Sequence, residues 1–140
     1  MKELPGGVYV SGQISFAQLE AIAARGVKSI IVNRPDMEVP AELQYKVMET
    51  AAKAAGLKCL YVPMASGLTM ELLEASEAAY RDLERPILAV CASGTRSAAL
   101  WGFAHVQALG IDGVMSAMQA AGYNLEQIRS PLEDYLNSKS

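Results

Sequence analysis

Histidine occurs once in this sequence and cysteine twice, and no stretch is basic. One histidine and two cysteines without paired spacing assemble no metal site, and two thiols make no disulfide framework. A formal net charge of −3 without a basic run argues against a nucleic-acid partner. No apolar run approaches the roughly 20 residues of a membrane span, and the start, Met1 to Pro5, lacks the apolar core of a signal peptide. The expectations are therefore no membrane partner, no cofactor and a cytoplasmic protein with reduced thiols. Repeats, low-complexity segments and internal linkers are also missing. With 140 residues, 51% of them hydrophobic, residues 1–140 are expected to form one folded domain with a real core. The oligomeric state is not legible.

What is present is organised around Arg85 to Trp101, RPILAVCASGTRSAALW. Ile87 to Val90 is a continuous apolar run, as expected of a strand covered on both faces. It runs into Cys91 and then a small-residue loop, Ala92, Ser93, Gly94 and Thr95. Arg96 and Ser97 open a helical pattern. N–H groups of such a loop and of a first helical turn converge on one spot, which the helix dipole makes positive. A cysteine there should ionise below the free value of about 8.5. Thiolate, N–H nest and guanidinium together suit oxyanions of sulfur or phosphorus.

The rest reads as alternating strands and helices. Val8 to Val10 is a strand ending in Ser11-Gly12-Gln13. Ser15 and Gln18 match a capping box for a helix reaching Arg25, with Gly26 as its stop. Val27 to Val32 is a strand broken by Asn33-Arg34-Pro35-Asp36, and Ala41 to Ala55 is a helix stopped by Gly56. Leu57 to Val62 is a third strand. Thr69 caps a helix through Leu83, and the helix opened by Arg96 should stop at Gly110. Two short helices follow, one around Val114 to Ala121 and one capped by Ser130 with Glu133. This order predicts an α/β fold of three layers, a mostly parallel four-stranded sheet flanked by helices. Ligands on such sheets bind beyond the carboxyl ends of the strands, where Gln13, Arg34 and Cys91 all fall.

The Cys-x-x-x-x-Arg-Ser loop resembles that of rhodanese-type sulfurtransferases. The wider chain, through Ser11-Gly12-Gln13, Asn33-Arg34-Pro35-Asp36 and Cys91 to Trp101, is similar to the phosphatase-like domain associated with metallo-β-lactamase-like hydrolases. That resemblance runs roughly from Leu4 to Leu125. It implies a fold similar to dual-specificity and tyrosine phosphatases, and a link to sulfide and persulfide metabolism. The implied partners are a small sulfur-containing or phosphorylated substrate and a metallo-β-lactamase-like persulfide-handling enzyme. The family usually carries His-Cys-Arg, whereas Val90 and Ala92 flank Cys91 here.

Candidate catalytic residues are Cys91 as nucleophile, Arg96 as oxyanion clamp, Ser97 as a hydroxyl donor to the thiolate, and Asp36, with Glu38 beside it, as a general acid. Ala92, Ser93, Gly94, Thr95, Arg34 and Gln13 are candidate anion-binding residues. Cys59 and His105 read as packing residues. Two features favour sulfur over phosphorus. Four residues between cysteine and arginine suggest a smaller cradle than the five of tyrosine phosphatases. The Met64 to Leu68 loop also lacks the acid that ester cleavage wants. The expected function is thus a rhodanese-like sulfurtransferase forming a persulfide on Cys91. A cysteine-dependent tyrosine or dual-specificity-type phosphatase is the first alternative, and a catalytically weak anion-binding or redox-sensing module the second.

Overall fold

The computed structural model describes residues 1–139. Strands β1 (Lys2–Leu4), β2 (Val8–Ser11), β3 (Ser29–Val32), β4 (Lys58–Tyr61) and β5 (Ile87–Val90) form one sheet in the order β1-β2-β5-β3-β4. β2, β5, β3 and β4 run parallel and β1 pairs antiparallel with β2. The expected four-stranded sheet therefore has five strands. β1 escaped the sequence reading because its three residues carry no apolar run, and only Leu4 is buried.

Helices α1 (Leu19–Ala24), α2 (Tyr45–Ala54), α3 (Met70–Asp82), α4 (Thr95–Ala120) and α5 (Arg129–Ser138) complete the fold. Alternate residues of the central strands feed two separate cores. Val8, Val10, Ile31, Ile87 and Ala89 join a cluster with Leu73, Trp101, Phe103, Met118 and Leu132 of α3, α4 and α5. Ile30, Val32, Leu88 and Val90 join the other, with Leu19, Ile22, Met48 and Ala52 of α1 and α2. This is why β3 and β5 are buried at every position: successive side chains point to opposite faces, and both faces are covered. β4 behaves differently, with its residues alternately exposed and half-buried, because it is the sheet's edge.

Local signals held at several ends and gave way at others. Thr69 caps α3 by accepting from Leu72 N at 3.1 Å. Gln18 reaches back to Ser15 N at 2.7 Å, but the first turn there, Phe16–Gln18, is 3-10 and α1 begins only at Leu19. The helix expected from Ala41 splits into a 3-10 turn, Ala41–Leu43, and α2. Ser130 makes no capping bond; α5 begins at Arg129, one residue before it. Gly110 (φ 77°, ψ 167°) breaks the helical backbone within α4, as its reading as a stop anticipated, and helix resumes at once beyond it.

The parallel register lines up Ser11, Val90 and Val32 across the sheet. The next residues, Gly12, Cys91 and Asn33, leave the carboxyl ends of three adjacent strands together. Cys91 N donates to Ser11 O at 3.3 Å and Asn33 N to Val90 O at 2.8 Å. The central strand is thus held on both sides at the point where Cys91 emerges.

Candidate active site

Cys91 is buried at the end of β5, and its Sγ accepts a hydrogen bond from Gly94 N at 3.1 Å. Gly94 adopts φ +94°, a left-handed conformation that a side chain disfavours, and that turn aims its N–H back at the sulfur. Burial pushes the thiol up. Hydrogen bonding outweighs it, from the Ser97 N–H, from the Ser97 hydroxyl when it turns to the sulfur, and then from the N–H groups of Ser93 and Gly94, and holds Cys91 below its ordinary value. Ala92, Ser93 and Thr95 are exposed on the loop's outer side. Ser93 Oγ donates to Thr95 Oγ1 at 3.1 Å, which braces the turn. Gly12 passes so close that a Cβ there would stand 2.8 Å from Ala92 O.

Ser97 and Asn33 form a buried pair behind the thiol. Asn33 Nδ2 donates to Val62 O at 2.7 Å, which turns its Oδ1 toward Ser97, and Ser97 Oγ donates to that oxygen at 2.8 Å. Asn33 had been legible only as a strand breaker.

Arg96 carries the densest set of contacts. Its Nη1 and Nη2 donate to the two carboxylate oxygens of Glu38, each at 2.8 Å, and Nη1 also donates to Met64 O at 3.0 Å. Glu38 holds Arg96 above its ordinary value, and the Cys91 thiolate adds to this. In return Arg96, and then Arg34, hold the Glu38 carboxyl below the usual carboxylate range. Three of the five guanidinium N–H groups are engaged in this way. The remaining N–H groups, on Nε and Nη2, form the edge that interacts with the Cys91 thiolate, a fork that matches two oxygens of one phosphoryl group.

The other carboxylate of that loop is built into the scaffold. Asp36 Oδ1 accepts from Tyr45 N at 2.7 Å, capping α2, and Asp36 N donates to the Tyr61 hydroxyl at 2.9 Å. Arg34 Nη1 donates to Gln13 Oε1 at 3.2 Å, Nη2 donates to Glu38 O at 3.3 Å, and Nε lies 3.4 Å from Glu38 Oε1, an ion-pair distance without hydrogen-bond geometry. Gln13, Arg34, Glu38 and Arg96 thus make one chain of contacts along the rim, continuous with the loop after β5. Met64 enters through its carbonyl, a contribution that side-chain chemistry in the sequence does not signal.

Two residues stand apart. Cys59 lies on β4, two strands from Cys91, packed toward α2, and burial pushes its thiol up to about 11. His105 contacts Trp101 O at 2.7 Å and stacks on the Trp101 ring, on α4. Among the described residues, no group of three His, Cys, Asp or Glu side chains could hold a metal ion, and no helix is long and apolar enough to cross a membrane.

A buried thiol in an N–H nest, followed by an arginine in the first turn of a helix on a parallel sheet, is the equipment of the cysteine-based phosphatases, the class of enzyme to which this fold and site correspond. The chain belongs to the family described as beta-lactamase hydrolase-like protein, phosphatase-like domain, whose model matches residues 1–109. The beta-lactamase hydrolase-like protein of Xylella fastidiosa is 35% identical over 107 residues, which is 76% of this chain and 24% of that protein. The chain therefore spans about a quarter of the length of this curated relative. A crystal structure of a phosphatase candidate from Neisseria meningitidis is 31% identical with a TM-score of 0.81, covering 96% of each chain. The core catalytic domain of a PP-IP phosphatase from S. cerevisiae shares the fold at 22% identity and a TM-score of 0.68, over 94% of this chain and 82% of that one.

These relationships overturn the expected rhodanese-like sulfurtransferase, and the sulfur-containing substrate and persulfide-handling partner find no support in them. The physical reason lies in the loop. Four residues between Cys91 and Arg96 do not starve the cradle of donors, because α4 begins at Thr95 and its first-turn Ser97 N–H joins those of Ser93 and Gly94 at the sulfur. Spacing along the chain was a poor measure of cradle size. The absent His and Arg neighbours, replaced by Val90 and Ala92, likewise leave a thiol held below its ordinary value by backbone N–H groups and Ser97.

Proposed function

We propose that this chain is a cysteine-dependent phosphomonoesterase. The observation that carries the reading is the Cys91 Sγ, held by the Gly94 N–H and within hydrogen-bonding reach of the Arg96 guanidinium, with its thiol lowered by these loop and helix donors. The Cys91 thiolate attacks phosphorus in line, the P–O bond to the leaving group breaks, and the departing oxygen takes a proton from solvent water. Water then attacks the cysteinyl-phosphate, orthophosphate leaves, and the thiolate returns. Arg96 and the N–H groups of residues 92–97 stabilise the charge on the transferring group. Ser97 donates to the sulfur as it departs in the second step, by rotating its hydroxyl from Asn33. Gln13 and Arg34 shape the rim through Glu38.

The acid for the first step sets the substrate range. Asp36 is occupied as a helix cap, Glu38 is tied to two arginines, and Met64 to Leu68 contains no carboxyl group. Esters whose leaving groups need little protonation, such as aryl phosphates with acidic phenols, should be cleaved best. Poor leaving groups forgo the roughly 10²–10⁴-fold help of general acid catalysis. Residues 1–140 act as one unit in this reading. A thiolate nucleophile needs a reducing compartment, which favours the cytoplasm.

The test is hydrolysis of a series of aryl phosphates of graded phenol acidity, with acid-quench trapping of phosphoenzyme. The expected results are a steep dependence on leaving-group acidity and phosphate trapped on Cys91. Absence of turnover on every member, or turnover surviving in Cys91→Ser, would overturn the reading.

A further inference from the structure

The loop after β5 has a neighbour from far along the chain. Gly110 breaks α4, and the helix beyond it buries Val114, Met115 and Met118 in the core shared with α3 and α5. That helix ends at Ala120, and just beyond it Gly122 (φ +97°) turns the chain so that Tyr123 N donates to Met118 O at 2.9 Å, a closing bond that fixes the direction in which Tyr123 leaves. The Tyr123 phenol then lies against Gly94. A Cβ on Gly94 would stand 3.1 Å from Tyr123 Cζ and 3.4 Å from Cε1, with the hydroxyl oxygen nearer still. Glycine at position 94 is therefore required twice, by its φ and by this phenol. The Tyr123 ring is half-buried, and among the described residues its hydroxyl has no hydrogen-bond partner. Tyr123 also lies outside the residues matched by the family model.

We propose that Tyr123 is a substrate-binding residue that donates its phenolic O–H to the phosphoryl group held in the Cys91–Arg96 loop. The proposal rests on the phosphomonoesterase reading and adds a donor that the loop itself lacks. A phenol has the right chemistry for this place. Burial and the Cys91 charge raise Tyr123 above its ordinary value, so it stays a donor throughout the working range of the thiolate. Donation to an anionic oxygen is the stronger kind of hydrogen bond, and the site's partial burial strengthens it further.

Tyr123→Phe removes the hydroxyl and keeps the ring against Gly94. Tungstate, a phosphate-like oxyanion, is titrated calorimetrically into the wild type and into Tyr123→Phe, and both are assayed with p-nitrophenyl phosphate. The expected result is about tenfold weaker tungstate binding and about tenfold lower kcat/KM, with unchanged Tm and an unchanged pH profile of Cys91 alkylation. Equal tungstate affinities in the two proteins, or no tungstate binding to the wild type, would overturn the proposal. Failure of the parent reading looks different: tungstate binds and Tyr123→Phe weakens it, yet no phosphate ester is turned over. Gly94→Ala is the second arm. It should lower tungstate affinity more than Tyr123→Phe does, and in Gly94→Ala/Tyr123→Ala it should recover part of that loss; an identical loss in both would leave the phenol no role over the loop.

Discussion

The two cysteines of this protein sit in one sheet under opposite rules. Cys91 ends the central strand, where three strands stop together and a helix begins. There N–H groups without strand partners point at the sulfur and lower its pKa. Cys59 lies within the edge strand β4, whose backbone is used in pairing with β3, and burial pushes its thiol up to about 11. Neither thiol is reactive or inert by its own nature. Burial raises both; at the strand end the donors of Ser97, Ser93 and Gly94 outweigh it, whereas at Cys59 the Tyr45 hydroxyl and the Leu60 N–H do not.

The sharpest way to break this comparison is to exchange sulfur for oxygen at both places. Cys91→Ser should remove phosphatase turnover by about 10³-fold or more while leaving Tm nearly unchanged. Cys59→Ser should leave turnover within about twofold, since Cys59 touches nothing in the loop. Comparable losses in the two variants would dissolve the distinction.

Next in size is Arg96→Lys. A lysine keeps the charge but cannot hold Glu38 with two donors and still offer a planar fork to phosphate, so kcat/KM should fall about 10²-fold. Wild-type kinetics in this variant would make the Glu38–Arg96 pair a surface contact without function.

Alkylation against pH sharpens the comparison directly. The Cys91 rate should be half-maximal below the ordinary thiol value, and the Cys59 rate half-maximal only near pH 11. Stability follows with opposite signs. The Cys59 contribution, from a pKa raised in the folded state, is present below about pH 9 and lost as pH rises toward 11. The Cys91 contribution is present above its ordinary value and lost as pH falls through its lowered one. Chemical denaturation at pH 7 and pH 10.5 should therefore show a smaller alkaline loss in Cys59→Val than in the wild type.

The smallest expected effect is that of Asp36→Asn. The amide oxygen still accepts from Tyr45 N, so α2 should lose no more than about 1 kcal/mol by denaturant titration. Turnover of aryl phosphates should stay within about threefold. A selective loss on esters with poor leaving groups would instead make Asp36 the acid.

Much of this was legible in advance because it is local. The apolar runs Ile87 to Val90 and Ile30 to Val32, which do not alternate, meant strands covered on two faces, and Thr69 marked the start of α3 through a bond that spans three residues. Cys91, Gly94 and Arg96 could be placed in one loop because they are neighbours in sequence. Function was misread where sequence distance stood in for space. Four residues between Cys91 and Arg96 looked like a small cradle, but the donors come partly from the helix that follows.

By itself, then, the sequence determined the three-layer α/β architecture and the placement of Cys91, Gly94 and Arg96 where a strand passes into a helix, since hydrophobic period and loop composition act over a few residues. Only the tertiary structure decided what surrounds them. It set Glu38 on Arg96 across 58 positions, Asn33 on Ser97 across 64, and Tyr123 over Gly94. It also made Asp36 a helix cap and Cys59 an edge-strand thiol. Such partners are chosen by the packing of strands and helices that lie far apart in the chain, and no local periodicity carries that information.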